Sequence, residues 1–219
     1  MPPLLSDAAR RKLDESSDTL FYGQPRFVTH VDEGFVARLT QLYRERLTPG
    51  TRILDLMSSW VSHLPPEMSF AHVEGHGLNG EELVRNPRLS HAFVQNLNEQ
   101  PDLPLPDQSF DAVLNTVAIQ YLQQPERVLR EVHRILKPGG QVIISFSNRM
   151  FFQKAITAWR DNTEAGRVAL VKHYLEGSGG FTAPEVIQHR PAAQPLATLL
   201  GWGGGDPFYA VLAQRLPLG

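Results

Sequence analysis

The chain has 219 residues, 42% of them hydrophobic and 20% charged, with a formal net charge of −2 and no cysteine. That length and composition fit one domain with a sizeable core and exclude global disorder. The weak charge without a basic run argues against nucleic acid as the main partner, and the missing cysteines exclude disulfides, thiolate catalysis and thiolate-bound metals and fit a reducing cytoplasm.

The opening stretch "MPPLLSDAARRKLDESSD" lacks the apolar centre of a signal peptide, and no apolar run reaches the ~18 residues that a membrane span needs. Residues 1–20 are polar and expected to be mobile. Val31, Phe35, Leu39, Leu42 and Tyr43 recur at helical spacing, so residues 33–47 are expected to form a helix stopped by Thr48-Pro49-Gly50. Ile53-Leu54 opens a short buried strand, and "FAHVEGHG" reads as a second. "EELVRN" is expected to be a short helix ended by Pro87, and "HAFVQNL" a third strand.

"SFDAVLNTVAI" is an apolar, β-branched run suited to a strand buried on both faces. "PERVLREVHRILK" sets Val128, Leu129, Val132, Ile135 and Leu136 on one helical stripe, with Pro125 at its start and Gly139 as its stop. "QVIISFS" is another buried strand, so the unit is strand–helix–strand with a parallel pair. Residues 151–176 predict one broken helix or two. "PEVIQHR" and "DPFYAVLAQR" read as final strands, joined by the longer loop "RPAAQPLATLLGWGGG", part of it helical.

"LPDQSFDAV", "NTVAIQYL" and "REVHRILKPGGQVIIS" together resemble the class I S-adenosylmethionine-dependent methyltransferases, in particular the type 11 branch that includes ubiquinone/menaquinone-type enzymes. The resemblance covers residues 50–150 and extends more weakly to the last two strands. It implies an α/β fold: a Rossmann-like three-layer sandwich whose seven-stranded, mostly parallel sheet has an antiparallel last strand. One domain is expected over 1–219, with an N-terminal extension and cover helix at 1–48 and the core at 49–219. S-adenosyl-L-methionine would bind at the carboxyl ends of the first strands.

The resemblance maps the cofactor site residue by residue, and this sequence departs from it. Asp55 stands at the first-motif acid, but Met57, Ser59 and Val61 replace the three glycines. Gly77, followed by Leu78, stands where a carboxylate normally holds the ribose. Asn96 stands where an Asp commonly meets the adenine amino group, and Leu97 would offer its backbone N–H. A left-handed non-glycine residue costs about 1–2 kcal/mol, so the first turn is expected to be rerouted. Ser58 and Ser59 bring hydroxyls to the methionine carboxylate. Trp60 either covers the cofactor or packs helix to sheet, the second being favoured.

Asn79 has two readings of equal weight: a ribose contact in place of the missing acid, or a helix N-cap with Glu82 as its capping-box partner. Asn115 and Thr116 approach the methionine end, and Tyr22 lines the pocket from the N-terminal cover. His30 is a candidate base and Gln120 a candidate substrate contact, while Arg26 is a candidate clamp for an anionic substrate. A surface histidine is the competing and favoured reading for His30. Asn148 and Arg149 either polarise a substrate or cap a helix. Asn115-Thr116-Val117-Ala118 is not the Asn/Asp-Pro-Pro-aromatic motif of enzymes that methylate amino groups on bases or glutamine. His72 and His76 alternate with glycines in a strand, so they read as structural and no metal is expected.

The leading expectation is in-line methyl transfer to a small-molecule acceptor by a cytoplasmic enzyme. The runner-up is a non-catalytic protein of the same fold acting as a binding or regulatory partner. A dinucleotide oxidoreductase is weaker, because the Gly-x-Gly-x-x-Gly turn is absent. Oligomeric state is left open.

Overall fold

In the computed structural model, which describes residues 3–190 and 205–217, the N-terminal segment expected to be mobile is a strap held by buried charges. Helix α1 (Asp7–Arg10) is capped by Ser6, whose Oγ accepts from Ala9 N, and helix α2 (Asp18–Phe21) follows. Lys12 Nζ lies 2.5 Å from Asp18 Oδ2. The fully buried Lys154 donates to Ser16 O at 2.7 Å and lies 3.1 Å from Asp14 Oδ2. Arg10 pairs with Glu126 at 2.5 Å. These ion pairs act beside the apolar anchoring of Leu5, which is buried in the core with Leu4 and Ala9 packed against it.

Helix α3 (Glu33–Arg46) starts at Asp32, whose carboxylate accepts from Phe35 N. Its apolar stripe of Phe35, Leu39 and Tyr43 packs with Ile53, Leu114 and Ile143 of the sheet. It is a layer of the sandwich; the cover over the strand tips is the strap before it.

The sheet holds β1 (Arg52–Asp55), β2 (His72–Gly77), β3 (His91–Val94), β4 (Phe110–Thr116), β5 (Leu136–Phe146), β6 (Glu185–His189) and β7 (Phe208–Gln214) in the order β3-β2-β1-β4-β5-β7-β6. β1 to β5 pair in parallel, and β7 runs antiparallel to both β5 and β6. Helix α4 (Gly80–Val84) joins β2 to β3, and α5 (Pro125–Ile135) joins β4 to β5. Residues 151–176 resolve into two helices, α6 (Thr157–Arg160) and α7 (Glu164–Ser178). Val128, Val132, Trp159, Tyr174 and Leu175 bury the second face of the sheet.

The helix expected over 125–137 is shorter than its sequence predicts. Helix α5 ends at Ile135, and Lys137 and Gly139 belong to the irregular start of β5. Pro138 disfavours helical geometry at the residue before it, so the chain leaves the helix ahead of Lys137. No helix follows β1: residues 56–71 contain only turns and bends. Pro65-Pro66 lies inside that stretch, removing two backbone donors. The expected loop "RPAAQPLATLLGWGGG" falls, from Pro191 through Gly204, outside the described residues.

Candidate active site

β1 ends at Asp55, and the chain turns at once. Met57 adopts φ 60°, the left-handed geometry of a glycine. The expected rerouting is therefore not found at Met57; beyond it the chain is irregular. Two bonds hold the strained residue and its neighbour: Met57 N donates to His76 Nδ1 at 3.1 Å, and Ser58 N to His76 O at 2.6 Å. The other ring nitrogen, His76 Nε2, donates to Gln95 O at 2.9 Å. One neutral imidazole thus joins the β1 loop to β2 and to the chain beyond β3. Burial pushes its pKa down to about 4. The sequence reading of His76 as structural matches this placement.

Gly77 is a matter of space. A Cβ there would stand 2.6 Å from Ser58 O and 3.2 Å from Leu83 Cδ2. The loop after β1 lies so close to the tip of β2 that no carboxylate fits. Asn79 lines the cavity, and its side-chain amide is bonded on both sides. Its Oδ1 accepts from Glu81 N and Glu82 N, and its Nδ2 donates to Tyr22 O and Gly23 O. It acts as the N-cap of α4, and its amide also ties down the strap. The capping box is not formed, because the Glu82 carboxylate turns elsewhere: it accepts from Arg26 N at 2.7 Å and from Ser59 Oγ at 2.6 Å. Glu82 lines the cavity. Sequence reasoning treated it only as a cap partner; the available signal was a carboxylate in the first turn of a helix that begins at a strand tip.

At β4, the Thr116 hydroxyl meets Tyr43 OH at 2.9 Å and Ser145 Oγ at 3.2 Å. Val117 follows at φ 51°, a costly conformation for a β-branched residue. Two expected contacts lie elsewhere. Asn115 is buried and donates to Leu56 O, bracing the β1 turn from beneath. Gln120 is fully buried and folds back to donate to Val117 O, so neither residue is part of the cavity wall. Asp55 is also set back. Ser58 Oγ donates to its carboxylate at 2.6 Å, and burial raises its pKa to about 6 against the opposing effect of Ser58 and Ser62.

The resulting cavity has a volume of about 340 Å³, inside the range of small-molecule sites. Its floor includes Met57, Ser58, Ser59, Gly77, Leu78 and Thr116. Beyond β3, Asn96 and Leu97 form another wall; the Asn96 amide accepts from Asn98 N and donates to Glu99. The roof is Tyr22, Arg26 and His30 from the strap, with Phe151 from the chain after β5. His30 is exposed at the mouth, edge-on to Phe151 at 5.1 Å. Desolvation lowers its pKa, with Arg26 adding to the effect and Glu82 opposing it.

Neither Met57 nor Trp60 plugs this space. Met57 lies in its wall and packs against the core. Trp60 donates from Nε1 to Val28 O at 3.2 Å and meets Phe27 edge-on at 6.5 Å. It therefore packs the strap onto the β1 loop, not a helix onto the sheet. A 70 Å³ annex beside Asp55 and Trp60 shares the wall of Met57, Ser58 and Thr116. Among the described residues no group of three metal-ligating side chains converges, and none of their helices is long and apolar enough to cross a membrane.

Comparison with known proteins shows what this chain is similar to. Residues 78–144 match the type 11 family model described as a methyltransferase domain. A demethylmenaquinone methyltransferase from Listeria welshimeri is 32% identical over 107 residues, covering 44% of this chain and 45% of that protein. The chain thus matches less than half the length of that relative. Among solved structures, a SAM-dependent methyltransferase from Archaeoglobus fulgidus has a TM-score of 0.59 at 14% identity, covering 84% of this chain and 94% of that one. The [4+2]-cyclase SpnF has a TM-score of 0.53 at 19% identity, covering 83% and 82%. Residues 78–144 are thus similar to the type 11 methyltransferase domain, and the strand order and fold are shared with solved S-adenosylmethionine-dependent methyltransferases.

Proposed function

We propose that the chain binds S-adenosyl-L-methionine in the 340 Å³ cavity and transfers its methyl group to a small-molecule acceptor. The observation that carries this reading is an open cavity at the tips of β1, β2 and β4, in a chain whose strand order is that of the family. The bound cofactor supplies an electrophilic methyl on a sulfonium, and the protein supplies alignment. Ser58, Ser59 and Thr116 offer hydroxyls to the polar end of the ligand. Glu82 takes the place of the missing ribose carboxylate. It keeps acceptor capacity beyond its two present bonds, since a carboxylate has about four lone-pair sites. Leu97 lines the end assigned to adenine.

Binding of S-adenosylhomocysteine, measured by calorimetry, tests the reading. Micromolar affinity is expected, and no heat at millimolar ligand would remove the case for turnover. Glu82→Gln is expected to weaken binding about tenfold or more, the loss of one to two charge-assisted hydrogen bonds.

The second reading is a non-catalytic protein of the same fold. Two non-glycine residues at positive φ beside the cavity, Met57 and Val117, favour it over an unaltered enzyme. SpnF shows that this fold also serves chemistry other than methyl transfer. Cofactor binding without transfer to any acceptor would select this reading.

A further inference from the structure

The roof of the cavity contains a charge that the methyltransferase reading leaves unused. The Arg26 guanidinium lies over the rings of Phe21, Phe151 and Tyr22, at 4.7, 5.4 and 5.7 Å from their centroids. One arm, Nη2, donates to Phe21 O at 2.9 Å. The other, Nη1, is buried without a hydrogen-bond partner. The nearby carboxylate of Glu82 takes the Arg26 backbone N–H and the Ser59 hydroxyl, not the guanidinium. The Tyr22 hydroxyl is also buried and unpartnered. Arg26 and Tyr22 both line the cavity. A buried donor left unmade costs about 1–3 kcal/mol, more if charged. Two such donors beside one cavity make sense if a ligand brings the acceptor.

We propose that Arg26 and Tyr22, with Phe151, form the anchoring subsite for an acceptor that carries a carboxylate on a flat, conjugated body. This rests on the methyltransferase reading of the same cavity and names its substrate class. A carboxylate matches the planar guanidinium fork. A phosphate dianion does not match the charge of the walls. Asp18 and Glu82 line the cavity alongside Arg26 and Arg149. Arg149 is already paired with Asp206 at 2.7 Å, and Lys12 and Lys154 are committed to the acids of the strap. Arg26 is therefore the lining cation that no carboxylate pairs, and Glu82, held by uncharged donors, leaves the walls near neutral, which suits a monoanion better than a dianion. The flat body follows from the rings: Tyr22, Tyr121 and Phe151 lie within 6.3 Å of one another, tilted or edge-on, and offer faces and edges to a planar ligand.

Benzoate, benzamide and phenyl phosphate are suitable probes, titrated by calorimetry into the protein with and without S-adenosylhomocysteine. Benzoate is expected to bind about tenfold more tightly than its neutral isostere benzamide, and more tightly than phenyl phosphate. Arg26→Gln is expected to abolish the preference for benzoate while leaving benzamide unchanged. Tyr22→Phe is expected to reduce benzoate affinity by about threefold, and it keeps the test decisive if Arg26→Gln fails to fold. Equal binding of benzoate and benzamide, no binding of either, tighter binding of phenyl phosphate, or a preference that survives both substitutions would overturn the anchor. S-adenosylhomocysteine binding separates the two failures: its absence removes the enzyme reading, whereas its presence without carboxylate preference removes only this subsite.

Discussion

Gly77 and His76 hold the loop after β1 in place by opposite means, one by lacking a side chain and the other by having both ring nitrogens bonded. Adding a methyl at Gly77 pushes against a backbone carbonyl 2.6 Å away, which cannot rotate aside. Gly77→Ala is therefore expected to destabilise the fold by about 1–3 kcal/mol, as overpacking does. That corresponds to a melting temperature lower by about 2–12 °C for a chain of this size. It is also expected to weaken S-adenosylhomocysteine binding, because the displaced Ser58 belongs to the cavity wall. A melting temperature unchanged from the parent would show that the loop moves freely. The sequence showed that an acid was missing at position 77 but not why. The reason is the approach of Ser58 O, a contact between the loop after β1 and the tip of β2.

At the scale of elements, the strap and the loop after β1 were the least legible parts. Amphipathic periodicity located α3, α5 and the buried strands, because their burial follows a regular spacing. The strap has no such period. Much of its order comes from Lys12, Asp14 and Asp18 with Lys154, which joins them only once residue 154 is brought against residues 12–18. Removing a buried partner from such a cluster leaves uncompensated charge and costs about 3–5 kcal/mol. Lys154→Met is expected to release the strap locally, because α1 and α2 are each only four residues long. Limited trypsin digestion, read by mass spectrometry, should then cut at Arg10, Arg11 or Lys12 much faster than in the parent. Equal digestion rates would show that the strap is held by other contacts.

For the whole molecule, pH dependence is set in part by two buried groups of opposite sign. His76 has a folded pKa near 4, below its ordinary 6.5, so its contribution is present above pH 6.5 and lost as pH falls toward 4. Asp55 has a folded pKa near 6, above its ordinary 3.8, so its protonation favours the fold as pH falls through 6 toward 4. Between pH 6 and 4 the folded state holds a proton on Asp55 and the unfolded state holds one on His76. The two proton counts cancel, and the pair leaves stability flat across that window. Asp55→Asn removes one side of the balance. Relative to the parent, this variant is expected to lose about 3 kcal/mol of stability between pH 6 and 4, at about 1.4 kcal/mol for each tenfold change in proton affinity. Urea unfolding at several pH values measures this, and parallel curves for the two proteins would contradict it.

By itself, the sequence determined the layers. The approximate strand and helix positions follow from local periodicity and turn chemistry, which act over a few residues, while the antiparallel last strand and the general place of the cavity were implied by the family resemblance. Only the tertiary structure decided which side chains face the cavity. Asn115 and Gln120 turn inward to backbone carbonyls, Glu82 leaves its own helix cap for Ser59 and Arg26, and Trp60 reaches the strap. Each of these choices is a competition among polar partners distant in sequence, settled when the strap and the strand tips are brought to hydrogen-bonding distance.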